Sequence, residues 1–152
     1  MSDRNKSIIL LVPILILCTS FLCIFGKKSG IQGAVLKISG NQMPSPDRPP
    51  AQPKGVKSTI FIHELTSLNQ VVRVGQSATY TAVNSRLIKQ LETKDDGSFK
   101  VKLPPGKYSI FIKIDEGFYA NSFDAQNNIQ PVEVVKKKMS KVELRLDNAA
   151  VY

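Results

Sequence analysis

The chain has 152 residues, of which 42% are hydrophobic and 22% are charged, and its formal net charge is +9. This length leaves room for one domain once an apolar N-terminal stretch is set aside. Both cysteines, Cys18 and Cys23, lie in that stretch. The remainder can therefore hold neither a disulfide nor a cysteine-based metal site. The positive charge favours anionic surfaces, but its spread along the chain predicts a generally solvated basic surface and no nucleic-acid partner.

Residues 1–28 predict export. No charged residue occurs from Ile8 to Phe25, basic residues flank this stretch, and small residues near Ser20 resemble the cleavage site of a signal peptide. As a helix, the 18 uncharged residues would rise about 27 Å, enough for an uncleaved membrane anchor. A lipoprotein modified at Cys18 or Cys23 is disfavoured, because a leucine precedes each cysteine where a small residue is expected. We expect a hydrophobic N-terminal helix at a membrane and a location in the periplasm or cell envelope.

Residues 29–152 are expected to form one β domain. Strand character begins at Ile31–Ser39, where Ala34, Leu36 and Ile38 would share one face. Gly40–Gly55 contains five prolines and is predicted to be a loop.

The next strands alternate in polarity. In Ser58–Thr66, Ile60 and Ile62 would face one way, while Phe61 and His63 would face the other. The polar stretch that follows predicts a short edge strand around Val71, Val72 and Val74 and then a turn over Gly75–Ala78. Arg86–Thr93 is interpreted as a strand because of its neighbours.

The clearest pattern runs from Thr93 to Asp115. Asp-Gly turn chemistry over Thr93–Gly97 predicts a tight connection between two antiparallel strands. Ser98–Leu103 and Lys107–Asp115 then alternate between apolar and polar residues on either side of a Pro-Pro-Gly corner. This pattern is typical of a half-buried antiparallel sheet.

The last part of the chain combines a long loop with a hairpin. Glu116–Asn128 is rich in Gly, Asn and Asp. Gln130–Val135 and Ser140–Leu146 are predicted to pair, with Lys136–Lys138 at the tip and Val142, Leu144 and Leu146 facing the core. About seven short strands without a convincing helix predict an all-β sandwich.

The string T-K-D-D-G-S-F-K-V-K-L-P-P-G-K-Y, over Thr93–Tyr108, resembles the signature of carboxypeptidase regulatory-like domains. Further similarity, to members of a type common in Bacteroidetes, covers nearly all of the exported part. The resemblance implies a Greek-key, transthyretin-like sandwich that performs no chemistry itself. Within the string, Gly97 would supply a positive φ, and Phe99 and Tyr108 would pack between the sheets.

The residues offer little for catalysis or metal binding. His63 is the only histidine, and Glu64 beside it in a strand would point to the opposite face, so a lone surface histidine is expected. Asp95-Asp96-Gly97 is explained by a turn rather than by calcium. Asp115, Glu116 and Asp124 form a better cation cluster, but such residues are usual in loops. We expect no enzyme, no metal and no cofactor.

Loop 116–128 is the candidate site for a ligand or partner. Tyr119, Asn121, Phe123 and Asp124 could stack on a sugar or grip a protein, or the aromatic rings could tuck under the loop and hold it to the sandwich. The function expected first is a non-catalytic envelope module for adhesion, scaffolding or protein interaction, with a membrane and an unknown envelope protein or glycan as partners. The alternative is a carbohydrate-binding module that uses this loop.

Overall fold

The computed structural model describes residues 28–41, 52–115 and 117–151, and this part of the chain is all-β. Its short 3-10 helix spans Leu68–Gln70. The strands are β1 (Gly30–Asn41), β2 (Lys54–Gly55), β3 (Thr59–Glu64), β4 (Val71–Arg73), β5 (Thr79–Val83), β6 (Leu87–Glu92), β7 (Ser98–Lys102), β8 (Gly106–Ile114), β9 (Gly117–Tyr119), β10 (Pro131–Val134) and β11 (Met139–Val151). No helix long and apolar enough to cross a bilayer occurs in these residues. The predicted N-terminal helix and its cleavage or retention lie outside them.

The smaller sheet is built around β1. β11 runs parallel to β1 along its whole length, with Gly30 opposite Met139 and Asn41 opposite Val151. On the other side, β7 pairs antiparallel with the first half of β1, and β2 pairs with Leu36 and Lys37. The first and last strands therefore form the centre and one edge of this sheet.

The larger sheet has the order β4-β5-β9-β8-β3-β6. The long strand β8 pairs with β3 on one side. On its other side, β10 lies against the first half of β8 and β9 against the second half. All of these pairings are antiparallel, and β4 and β6 form the two edges.

The main core lies between the two sheets, so the domain is a β-sandwich. It is formed by Ile31, Val35, Ile60, Ile62, Phe99, Val101, Leu103, Tyr108, Ile110, Ile112, Tyr119, Val134, Leu144 and Leu146. Burial of each large apolar side chain contributes about 1.5–3 kcal/mol, so this layer is the main source of stability. The inward positions predicted for β7, β8 and β11 are confirmed, except that Ile114 and Val142 are only half-buried.

A second apolar cluster covers the opposite face of the larger sheet. Its buried members are Tyr80, Phe111, Ala120 and Ile129, and half-buried Phe61, Leu68, Val71, Val83 and Phe118 pack against them. Phe61 and Phe118 meet edge to face, with ring centroids 5.2 Å apart. Strand β8 is therefore buried on both faces over Tyr108–Ile112, and the predicted half-buried sheet is wrong for this strand.

The two turns of the Thr93–Tyr108 string connect different sheets. β6 lies in the larger sheet, β7 in the smaller one and β8 in the larger one again. The predicted antiparallel pairings across both corners are therefore wrong, although the local turn chemistry is present. Gly97 has φ +78°, and the Tyr108 hydroxyl donates to the Pro104 carbonyl oxygen at 2.9 Å.

The predicted C-terminal hairpin is also wrong. β10 pairs with β8 and β11 pairs with β1, so the exposed turn Lys136–Lys138 joins the two sheets. A turn sequence fixes the local backbone, but which sheet receives the next strand depends on distant partners.

Strand β1 differs from its predicted facing. Ile31 and Val35 are fully buried, whereas Ala34 and Leu36 are half-buried on the opposite face. Ile38, which was predicted to share their face, is buried and lies at a register shift between Lys37 and Ser39. Such a bulge breaks the simple alternation on which the prediction relied.

The other strand predictions are largely confirmed. The expected strands at Ser58–Thr66 and Arg86–Thr93, and the short edge strand near Val71, correspond to β3, β6 and β4. Strands β2, β5 and β9 were not predicted, because they are short and lie in polar or glycine- and proline-rich stretches.

Candidate functional site

Residues 121–128 of the predicted loop, together with Ile129 and Gln130, fold back as a small hairpin on the outer side of the larger sheet. Phe123 and Ile129 form an antiparallel bridge, and the Gln130 amide donates to the Ser122 carbonyl at 2.8 Å. Asn127 closes the turn with φ 60°. The backbone is tied down because Ile129 donates to the Thr66 carbonyl at 2.8 Å.

Asp124 organises the tip of this hairpin. Its carboxylate accepts from the backbone amides of Gln126 and Asn128 at 2.9 and 2.8 Å and from the Asn128 side-chain amide at 2.8 Å. The Asn128 side chain is the main reason why the pKa of Asp124 lies below its ordinary value. Three hydrogen bonds to one carboxylate are typical of an Asx-type turn, in which the aspartate side chain stabilises the backbone that follows it.

Tyr119 faces the main core and links the two sheets. Its ring is buried, and its hydroxyl donates to the carboxylate of Asp147 on β11. Asn121 donates to the same Asp147 oxygen at 3.1 Å. Burial, followed by the bond to Asp147, raises the pKa of Tyr119. The Tyr119 ring therefore presents no stacking face to solvent.

Phe123 is the exposed aromatic residue of the predicted group, with 40% of its surface accessible to solvent. The Arg73 guanidinium carbon lies 5.9 Å from its ring centroid, within the range of a cation–π contact. Arg73 also donates from Nη2 to the Gln76 carbonyl at 2.7 Å. On either side of Arg73, Val72 and Val74 are 51% and 45% exposed. We call Val72, Arg73, Val74 and Phe123 the β4 edge surface.

The predicted site residues thus divide between two places. Tyr119 and Asn121 converge on Asp147, whereas Phe123 meets Arg73, and Asp124 shapes the turn between Phe123 and Ile129. Sequence reasoning missed Arg73 and Asp147, because each lies on a strand far from the loop in the chain. Only the pairing of strands brings them to it.

His63 is buried rather than exposed, so the expected surface histidine is wrong. Its Nδ1 lies 3.0 Å from the Ser85 carbonyl oxygen and must donate, since a carbonyl only accepts. The ring also packs edge to face on Phe111 at 5.5 Å. Desolvation lowers the pKa of His63, partly offset by the bond to Ser85.

No group of three or more His, Cys, Asp or Glu side chains that could hold a metal ion occurs among the described residues. Of the proposed cation cluster, Glu116 lies outside those residues, and the Asp124 carboxylate is engaged by its own turn. Among the described residues, the exposed part of the predicted site is an apolar and cationic edge.

Comparison of the sequence with protein-family models gave no match, and comparison with curated proteins gave none either. Proposals on function therefore depend on the residues themselves.

Proposed function

We propose that the chain is a non-catalytic, exported module of the cell envelope that acts in adhesion, scaffolding or protein interaction, and that it binds a protein through the β4 edge surface. The observation that carries this proposal is the exposure of Val72, Val74 and Phe123 at the β4 edge of the larger sheet, where the two valines lie on the face opposite to Phe123. An edge strand offers backbone donors and acceptors to an added strand, and apolar side chains supply the pockets or knobs that fix its register.

Arg73 makes this edge more suitable for binding. Its side chain is held by the Gln76 carbonyl and by the Phe123 ring, so little conformational freedom would be lost when a partner docks. Arginine and aromatic residues are also the side chains most enriched at the centres of interfaces.

The finer family assignment is part of the same proposal. A carboxypeptidase regulatory-like domain with Greek-key topology is supported by the positive φ of Gly97 and by the Tyr108–Pro104 hydrogen bond at the Pro-Pro-Gly corner. It is supported further by the connections that pass from sheet to sheet and by the adjacency of the non-consecutive strands β3 and β8.

Export and the absence of catalysis have separate support. The uncharged segment Ile8–Phe25 has the length and flanks of a signal peptide or membrane anchor. The contacts of His63 with Ser85 and Phe111 give the histidine a packing role within the fold. The burial of the ring and the donation of its Nδ1 hydrogen to the Ser85 carbonyl oxygen support a structural role for His63.

The alternative, a carbohydrate-binding module, retains one specific observation. Phe123 presents an exposed ring beside the Arg73 guanidinium, and such a ring can stack on a sugar. Because the Tyr119 ring is buried, this binding would depend on Phe123 alone among the predicted aromatic residues.

The experiment compares two double variants of the full chain in capture from native envelope extracts. Val72→Lys with Val74→Lys places two charges on the β4 edge surface, and Leu87→Lys with Val135→Lys places two charges at comparably exposed positions elsewhere. We expect the first variant and Phe123→Ala to lose a partner that the second variant and the parent retain, with all melting temperatures within a few degrees of the parent. Capture unchanged by the β4 variants would contradict the proposal. A glycan-array signal abolished by Phe123→Ala would favour the carbohydrate alternative.

A further inference from the structure

The fold gathers lysines at one end of the smaller sheet that are far apart in sequence. Lys100 and Lys102 alternate with buried Phe99 and Val101, so both point away from the core. Lys102 lies opposite Gly30 on β1, and Lys28 precedes that residue by two positions. Across β1, Lys100 and Lys141 both pair with Gln32, which places them on the same outer face.

The turn that carries the three-lysine run lies at the same end. The Lys137 amide donates to the Ser29 hydroxyl at 2.8 Å, and the Gly30 amide donates to the Lys138 carbonyl at 3.2 Å. We call this group the basic end of the sandwich; it consists of Lys28, Lys100, Lys102, Lys136, Lys137, Lys138 and Lys141.

The lysines are close enough to affect one another. The pKa of Lys102 lies below its ordinary value chiefly because of Lys28, with smaller effects of desolvation and of Lys100 and Lys89. The acidic residue Glu143 stands on β11 beside this group, but its carboxylate accepts from Arg145 at 2.9 Å. The repulsion between like charges held together in this way is reduced when an anion binds between them.

Two shallow depressions flank the outward lysines of β7. Lys100 and Lys141 line one, together with Gln32 and Glu143, whose carboxylate is paired with Arg145. Lys28, Lys102 and the two prolines of the Pro-Pro-Gly corner line the other. Lysine side chains therefore line two open depressions at this end of the sheet.

We infer that the basic end lies against the membrane and binds the phosphate groups of anionic lipids. The position of the basic end in the chain is the reason for proposing a lipid surface as its partner. Lys28 follows the proposed membrane segment Ile8–Phe25 by three residues, which span at most about 10 Å. The basic end is thus tethered next to the headgroup layer, where clustered lysines attract anionic lipids. This inference rests on the proposed membrane attachment.

The far end of the same sheet supplies a matched control. Lys37 and Lys54 form an exposed cross-strand pair of β1 and β2. Lys37 lies seven residues along β1 from Gly30, about 23 Å in an extended strand. This pair carries the same charge and chemistry as Lys100 and Lys102, but it lies away from the tether.

The test reconstitutes the full chain into vesicles of phosphatidylcholine, with or without phosphatidylglycerol, and measures acetylation of each lysine by mass spectrometry. In the anionic vesicles we expect the basic end to react about threefold more slowly than in neutral vesicles, an effect lost at high salt, while Lys37 and Lys54 stay unchanged. Lys100→Glu with Lys102→Glu should remove the protection of Lys28 and Lys136–Lys138. Lys37→Glu with Lys54→Glu should leave it intact.

Three outcomes would overturn the inference. One is a chain that floats with both kinds of vesicle but shows no protection specific to the basic end. Another is equal protection by free glycerol phosphate in detergent, which would indicate a soluble anion instead of a lipid surface. The third is protection by an oligonucleotide but not by anionic vesicles. If the chain floats with neither kind of vesicle, the proposed membrane attachment fails first, and the two failures are thereby distinguished.

Discussion

Among single residues, His63 couples the stability of the fold to pH. The imidazole is buried on the outer face of the larger sheet, and burial is the main cause of its lowered pKa. Because its pKa in the unfolded chain is near 6.5, the unfolded chain binds more protons than the folded chain just below this pH. The contribution of His63 is thus fully present above pH 6.5 and declines as the pH falls towards the folded-state pKa.

We therefore expect the melting temperature to fall between pH 7 and pH 5, and His63→Gln to remove most of that decline, although it lowers the melting temperature at pH 7. Asp96 and Asp124, whose pKa values are lowered, make contributions that are lost only below about pH 4, outside this window. Thermal unfolding at a series of pH values checks the prediction. An equally steep pH dependence in the variant would show that other groups are responsible.

Gly97 is the position at which the turn after β6 requires a glycine. It has φ +78°, and a Cβ atom placed there would lie 2.3 Å from the Val35 carbonyl oxygen and 2.9 Å from the Val56 nitrogen. The turn after β6 thus packs directly on β1 where the chain passes from the larger to the smaller sheet. The positive φ was predictable from the Asp-Gly dipeptide, but the close approach to β1 was not.

At the level of elements, Gly97→Ala should be much more destabilising than Gly75→Ala. Gly75 also has a positive φ, of 56°, but a Cβ atom there would meet nothing within 4 Å. Gly75→Ala should therefore cost only the conformational strain, about 1–2 kcal/mol, whereas Gly97→Ala adds a clash with backbone atoms. Chemical denaturation of both variants measures the difference. Equal losses would mean that the turn can move away from β1 at little cost.

The sequence predicted strands better than it predicted their partners. Alternation in β7 and β8 is a local property and located both strands and their core-facing residues. Pairing is not local. The Asp-Gly, Pro-Pro-Gly and three-lysine turns all connect the two sheets, although each was interpreted as joining paired strands. The candidate site could be predicted only in part for the same reason, because Asp147 and Arg73 come close to the loop only when the strands pair.

For the molecule as a whole, the two apolar clusters share the strands β3 and β8. Ile60, Ile62, Ile110 and Ile112 point into the main core, while Phe61 and Phe111 point into the second cluster from the same strands. Loss of packing on one face must therefore loosen the strands that support the other. Unfolding should be a single cooperative event.

Phe111→Ala should lower the free energy of unfolding by about 3–5 kcal/mol while a single transition is retained. The reason is that Phe111 is fully buried and contacts His63, Tyr80 and Phe118 through its ring. Near- and far-ultraviolet circular dichroism during denaturation provide the measurement. Two separate transitions would contradict the prediction and would indicate that the outer cluster melts independently.

The parallel pairing of β1 with β11 has a consequence for how the protein is made. About a hundred residues separate Gly30 from Met139, so the contact has the long sequence separation that slows folding. During synthesis β1 therefore lacks its longest neighbour, β11, until the strands between them have left the ribosome. The nascent chain therefore stays open until β11 has been synthesised, and the sandwich can close only after that.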